Sequence, residues 1–364
     1  MKSSHEQFRD YRVSFSIADG ELLQKLAALP VDQRAAAIEL LLEIQSRKQD
    51  EAARENFMAF VRRMWPAFIE GAHHKKMADA FEPVARGELK RVIINLPPRH
   101  TKSELASFLF PAWFLGKYPE KKVIQASHTA ELAKDFGRNV RNLIGSEDYQ
   151  HVFPGVELAP DNKAAGRWNT NKRGTYFAVG VDGAVAGKGA DILIIDDPHS
   201  EQEATLGEWN PAIYDKVYKW YTSGPRQRLQ PNGAIIIVMT RWSLRDLTGQ
   251  IIDHATENDA IDEWEIIELP AILPSGNALW PEFWSLSALN DIKRDIPISK
   301  WNAQYQQHPT SEEGALIKRE WWRTWDQRMP ECVAIIQSWD TAIEQTERAN
   351  HSACTTWGLF EHPD

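Results

Sequence analysis

Lys102 and Ser103 stand where a strand-like run gives way to a helix-like one, in Leu96-Pro-Pro-Arg-His-Thr-Lys-Ser103. A lysine and a hydroxyl at such a junction suit phosphate chemistry. Backbone N–H groups at a helix N-terminus face an anion, the ammonium reaches the outer phosphates, and the hydroxyl can ligate Mg2+. Pro98, Arg99, His100, Thr101, Lys102 and Ser103 form the candidate cradle, with the N–H donors running from Arg99 to Ser103 because proline has none. The usual spelling has glycine at the positions of Leu96 and Thr101. A β-branched threonine at positive φ would be an outlier. On spelling alone, a phosphate loop and an ordinary helix start both remain open.

A second run, Ile192-Leu-Ile-Ile-Asp-Asp197, is apolar and ends in two carboxylates. Asp196, at the strand end, suits a Mg2+-bound water, and Asp197 suits a general base that polarises an attacking water. Glutamate is the commoner residue at the second position, so the shorter Asp197 must sit closer or act through a relay water. The plain alternative is a strand followed by an Asp-Asp-Pro turn. Thr240 ends the run Ala234–Thr240 and precedes Arg241-Trp242. Its hydroxyl could sense a γ-phosphate, or simply cap the strand.

These residues need a scaffold. Apolar runs at Arg91–Leu96, Lys122–Ser127, Tyr176–Val181, Ile192–Asp196, Ala234–Thr240 and Trp264–Leu269 read as strands. Near-continuous Ile/Val/Leu indicates burial on both faces, and helical stretches between the runs (Leu132, Phe136, Val140, Leu143) imply crossovers. The expectation is an α/β fold with a mainly parallel central sheet. In such sheets ligands bind beyond the carboxyl ends of the strands, where each candidate motif falls. Residues 21–56 read as helix, with Ile38, Leu41, Leu42 and Ile44 as an apolar stripe, for packing on the main domain or docking a partner. Residues 271–330, rich in Pro and Trp, read as a linker whose tryptophans pack or, alternatively, stack on bases. Val333–Trp339, ending at Asp340, and Ala353–Phe360 read as an antiparallel pair, too little for an independent domain. The expected division is 1–56, 57–270, 271–330 and 331–364.

The 364 residues are 43% hydrophobic and 26% charged, ordinary for a globular chain. A net charge of −9 disfavours a static DNA-coating protein but permits a local basic face. Cys332 and Cys354 lack zinc-site spacing and suit reduced thiols in a cytoplasm. No apolar stretch is long enough to span a bilayer, so no membrane role is expected. His73-His74-Lys75-Lys76 reads as solvated surface, with a metal site improbable without further ligands. Lys163, Arg167, Lys172 and Arg173 form a basic stretch expected in a loop, either solvated or touching DNA phosphates. Gly180, Gly183, Gly187 and Gly189 suggest a turn or a mobile loop.

Four stretches in order resemble the phage terminase large subunit family: RVIINLPPRHTKSE, GAVAGKGADILIIDDPHS, VMTRWSLRDLTG and QSWDTA. The resemblance runs from about residue 57 to the last residue, and that family tolerates a glycine-poor loop. It implies a P-loop ATPase core with an N-terminal helical appendage and the first strands of an RNase H-like nuclease domain. It implies an ATP hydrolase that drives double-stranded viral DNA into a procapsid. It also implies a portal protein and a terminase small subunit as partners, ring homo-oligomerisation on the capsid, and a place in the host cytoplasm and transiently at the portal vertex. By position, Lys102 and Ser103 hold phosphate and Mg2+, Asp196 the metal, Asp197 the catalytic water, and Thr240 falls in the coupling motif. Arg99 matches a loop arginine that would stabilise transition-state charge. Asp340 matches the first carboxylate of a nuclease site using Mg2+ or Mn2+. Where relatives often have Asp, this chain reads Asn350-His351-Ser352, and Glu344 and Glu347 lie in the expected turn, so DNA cutting by this chain alone is not expected. A helicase-like translocase and a non-catalytic assembly adaptor are the competing readings.

Overall fold

Strands built from Ile and Val have no polar face, so each must be covered on both sides. That requirement is met in an eight-stranded sheet whose strands are, in spatial order, Leu158–Ala164 (β3), Arg167–Thr170 (β4), Thr175–Gly180 (β5), Lys122–Ser127 (β2), Ala190–Asp196 (β6), Leu229–Met239 (β7), Arg91–Asn95 (β1) and Glu265–Glu268 (β8). In the computed structural model, residues 28–207, 210, 212–258, 263–310, 332–340 and 353–360 are described. The chain divides into two compact units, Met1–Glu312 and Glu313–Asp364. In the first, β1 (Arg91–Asn95), β2 (Lys122–Ser127), β5 (Thr175–Gly180), β6 (Ala190–Asp196), β7 (Leu229–Met239) and β8 (Glu265–Glu268) run parallel. All six expected runs are strands of this sheet, with ends shifted by a few residues.

Alternate residues of one strand feed two separate cores. Ile94, Ile194 and Ile236 join a core on one face, and Ile93, Ile195 and Ile237 a core on the other. The first face is covered by helices α1 (Val31–Glu55), α2 (Phe57–Met64), α3 (Ala72–Arg86), α4 (Phe110–Lys117), α5 (Ala130–Ile144) and α6 (Glu147–Val152). Helix α7 (Glu201–Gly207) follows β6, and α8 (Ala212–Ser223) and α9 (Leu247–Glu257) cover the second face. Helix α10 (Leu286–Asp295) belongs to a small third cluster around Leu289 and Trp301.

Two strands were not expected. β3 (Leu158–Ala164) and β4 (Arg167–Thr170) pair antiparallel at the sheet edge beside β5. Edge strands with a solvated face carry no continuous apolar run, so the local pattern hides them. The basic stretch expected in a loop is therefore largely strand and hairpin turn: Arg167 opens β4, and Lys172 and Arg173 lie between β4 and β5, all three exposed. Of the four glycines before β6, Gly180 ends β5, while Gly183, Gly187 and Gly189 lie in the connection to β6, with Gly187 in a turn at φ 71.

Helix α1 corrects a second expectation. Its last turns pack: Ala53 is fully buried, its carbonyl accepts from Trp113 Nε1 at 3.0 Å, and Asp50 pairs with Arg63 at 2.8 Å. Ile38, Leu42 and Ile44, expected as a packing stripe, are exposed. The far end of this helix meets α2 through Asp50 and Arg63, α4 through Ala53 and Trp113, and α6 through Arg54 and the Val152 carbonyl. Residues 21–27 of the expected helix lie outside the described residues.

The second unit is described as one antiparallel hairpin, β9 (Ala334–Asp340) with β10 (Ala353–Leu359), pairing Asp340 with Ala353. The expected pairing is therefore present. Glu344, Glu347, Asn350, His351, Ser352 and the tryptophans at 321, 322 and 325 lie outside the described residues. Among the described residues, no helix is long and apolar enough to cross a membrane.

Candidate active site

β1, β7 and β6 are adjacent, and their carboxyl ends are in register: Asn95 with Met239, and Val238 with Asp196. Chain order puts about a hundred residues between the two motifs; β7 lies between them in space and hydrogen-bonds to both. Leu96 N donates to the Met239 carbonyl at 3.2 Å, so the loop leaves β1 still tied to β7. Thr240 follows directly, its Oγ1 donating to the Leu96 carbonyl at 3.2 Å.

The glycine-free loop takes the turn that glycine usually takes. Arg99 has φ 62 and Thr101 φ 59. Each such residue costs about 1–2 kcal/mol of left-handed strain, which surrounding contacts must offset. Thr101 Oγ1 donates to the His100 carbonyl at 2.7 Å and also meets His74 Nε2. His100 Nδ1 lies 2.8 Å from the Pro98 carbonyl. Helix starts at Lys102 and passes through a π-helical segment, Glu104–Leu109, into α4.

Two pairs converge at the loop end. Lys102 Nζ lies 2.8 Å from Asp197 Oδ2, and Ser103 Oγ donates to Asp196 Oδ1 at 2.9 Å. Ser107, four residues on, donates to Asp196 Oδ2 at 2.8 Å. Asp197 turns out of β6 at φ 41 and is held at several points. Its N–H donates to the Val238 carbonyl at 3.0 Å, its carbonyl accepts from His128 N at 3.3 Å, and its Oδ1 accepts from Thr240 N at 2.9 Å. Arg99 is exposed on the outer side of the loop.

Burial sets the electrostatics. Asp196 is 1% exposed; burial raises its pKa, the Asp197 charge raises it further, and Lys102, Ser107 and Ser103 only partly offset this. Burial pushes the Lys102 ammonium down, but Asp197 and Asp196 together outweigh it and leave its pKa above the ordinary value. A cation brought to Asp196 would therefore take the place of the carboxyl proton and favour the ionised carboxylate. Ser103 and Asp196 offer one hydroxyl and one carboxylate. Such hard oxygens fit Mg2+, which takes few protein ligands and fills its shell with water and phosphate. Among the described residues no group of three His, Cys, Asp or Glu could hold a metal.

His73 and His74 are not the solvated surface expected of a histidine pair beside two lysines: both are fully buried, as is His100. Their rings pack with Trp280, at 5.3, 5.0 and 6.0 Å between centroids, and His100 stacks over Trp284 at 6.2 Å. These two tryptophans of the Pro/Trp-rich region thus pack behind the loop. Burial, reinforced by the neighbouring rings, pushes the pKa of His73 to about 3 and of His74 to about 3; burial takes His100 to about 4. An unfolded histidine protonates near pH 6.5, so the unfolded state binds the extra protons as pH falls. Stability is therefore expected to drop below pH 6.5, by up to about 1.4 kcal/mol per pH unit for each ring and about 4 for the three. Urea midpoints at about pH 7.5 and about pH 5 check this; equal midpoints would contradict buried neutral rings.

Ser107 was also missed, although its spacing from Ser103 along a helix was a usable signal. Less visible was Asp246, fully buried, which receives Arg241 Nε at 3.1 and 3.0 Å and the N–H groups of Trp242, Ser243 and Gly249. It caps α9 and fixes the turn after Thr240. Gly249 is required there, since a Cβ would lie 1.8 Å from the Leu244 carbonyl oxygen. Asp340 ends β9 in the second unit.

No protein-family model and no curated protein matches the chain. Solved structures do resemble it. The HK97 bacteriophage large terminase matches at 13% identity over 70% of this chain and 55% of its own, with a TM-score of 0.48. The Thermus phage P74-26 large terminase ATPase domain matches at 16% identity over 64% of this chain and 93% of its own, with a TM-score of 0.40. A large terminase from a thermophilic bacteriophage, solved with ADP, matches at 10% identity over 77% of this chain and 64% of its own, with a TM-score of 0.40. The chain thus spans little over half the length of the HK97 protein.

Proposed function

We propose that this chain is an ATP hydrolase, the motor part of a phage large terminase that drives double-stranded DNA into a procapsid. The observation that carries the reading is the meeting of Lys102 with Asp197, and of Ser103 with Asp196, at the tips of β1 and β6. A lysine, a hydroxyl and two carboxylates arranged around a left-handed loop at a helix start are the parts that phosphoryl transfer needs. The four ordered motifs point to the terminase family rather than another motor.

In this reading the N–H groups from Arg99 to Ser103 bind the phosphates, and Lys102 leaves Asp197 to reach them. That exchange frees Asp197 Oδ2 to orient the attacking water and take its proton, while Thr240 N keeps Oδ1 in place. Nucleotide entry thereby switches the base on. Ser103 and Asp196 would hold Mg2+, which when bound neutralises developing charge on the phosphates. Arg99, exposed on the loop, would add positive charge to the transition state, in its own site or a neighbour's in a ring. Thr240 would pass the state of the site to the turn built on Arg241 and Asp246. Portal protein, small subunit and DNA are the proposed partners, at the portal vertex in the host cytoplasm. Asp340 would supply one carboxylate to a nuclease site using Mg2+ or Mn2+.

The test is phosphate release from Mg-ATP by the purified chain, alone, with double-stranded DNA and with procapsids. Turnover that EDTA abolishes supports the motor. No turnover under any of these conditions leaves an assembly adaptor. Full separation of a forked duplex without portal binding favours a helicase-like translocase.

A further inference from the structure

We propose that His74 is a positioning residue for the phosphate loop, a side-chain strut that does the work of the glycine missing at Thr101. The proposal rests on the nucleotide-site reading above and adds how a glycine-free loop keeps its shape.

The hydrogen bonds run in one direction. Gly71 N donates to His74 Nδ1 at 2.8 Å, so that nitrogen is an acceptor and the neutral ring carries its proton on Nε2. Nε2 lies 2.5 Å from Thr101 Oγ1, which gives its own hydrogen to the His100 carbonyl at 2.7 Å. Each proton in the chain has one acceptor. The strut is rigid at its base as well. His74 is the third residue of α3, and its Nδ1 caps that helix through the Gly71 N–H. Its ring is fully buried against His73 at 3.7 Å, Phe68 at 4.7 Å and Trp280 at 5.0 Å. Gly71 must stay small for this, since a Cβ there would lie 2.6 Å from Trp280 Cδ1.

At the other end stands a β-branched residue at φ 59, two places before Ser103. Threonine resists that backbone, whereas glycine adopts it freely. The hydroxyl anchored by His74 selects the left-handed form and so aims the N–H groups of the loop. A ring present only to fill the core would not need its Nε2 bonded to the loop, and its effect would not depend on which residue occupies position 101.

The test compares affinity for a fluorescent ATP analogue, and melting temperature, across His74→Ala, Thr101→Val, Thr101→Ser, Thr101→Gly and the double variant His74→Ala with Thr101→Gly. His74→Ala and Thr101→Val are expected to weaken nucleotide binding about tenfold, the loss of one aligned hydrogen bond at a strained residue. Thr101→Ser keeps the hydroxyl and should lose clearly less affinity than Thr101→Val. Thr101→Gly should bind within about threefold, and in that background His74→Ala should add little further loss. Equal loss from His74→Ala in both backgrounds, or wild-type binding by Thr101→Val, overturns the strut. If His74→Ala does not fold, the contrast between Thr101→Val and Thr101→Ser decides alone. If the wild type binds no nucleotide, the nucleotide reading fails, and the strut is then judged by melting: Thr101→Val must melt below Thr101→Ser, and equal melting overturns it.

Discussion

Lys102→Ala is expected to lower ATP turnover by about a thousandfold, the scale set by removing one preorganised positive group from a charge-developing transition state. The lysine is 7% exposed, and Asp197 and Asp196 keep it charged against the pull of burial. It is therefore held as an ammonium, which in the proposed function exchanges Asp197 for a phosphate. The substitution also strips the charge facing Asp197 in the apo site. Breaking a buried pair costs about 3–5 kcal/mol. Asp197 is partly open to water, so a smaller loss of about 2 kcal/mol is expected in the apo chain. Phosphate release measures the first effect and a urea midpoint the second. Turnover within tenfold of wild type would remove Lys102 from the mechanism.

Asp197→Asn separates chemistry from binding. The amide oxygen can still accept from Thr240 N, so the turn after β6 keeps its anchor. What is lost is the proton acceptor, and kcat is expected to fall by about a thousandfold, within the range for a positioned general base. Nucleotide affinity should hold or tighten, because Lys102 no longer has to leave a carboxylate to reach phosphate. Steady-state kinetics paired with direct nucleotide binding gives that split. Retained turnover would assign the base to another carboxylate; weakened binding with unchanged kcat would make Asp197 a structural residue.

The two substitutions act on opposite ends of one ion pair, so their effects should not add. Once either partner is gone, the proposed exchange between nucleotide entry and base activation can no longer operate. A double variant near the level of the worse single is the signature of residues working as one unit.

Much of this site is legible in the sequence. Asp196 and Asp197 were legible because a strand that must be buried on both faces can end only where polar residues begin. Lys102 and Ser103 were legible through their place between strand and helix, despite the missing glycines. The objection to Thr101 was sound physics: the residue does sit at positive φ. Its support was not legible, because His74 lies on another helix and enters the loop from behind. The histidine pair beside two lysines read as surface for the same reason. Polarity along a chain does not say whether a ring is solvated or buried.

Local sequence is enough to set the parallel α/β sheet, its six Ile/Val-rich strands, the burial of both sheet faces and the positions of the motifs at strand ends. Each depends on contiguous residues: a period of two, β-branched side chains, and the covalent spacing from strand to helix. The tertiary structure alone decided that β7 separates β1 from β6, that Lys102 thereby meets Asp197 and Ser103 meets Asp196, and that β3 and β4 extend the edge. It also decided that α1 leaves Ile38, Leu42 and Ile44 uncovered and that His74 braces Thr101. These outcomes are contacts between residues far apart in the chain. No local period encodes them, and they follow only when the whole sheet and its covering helices have settled which surfaces meet.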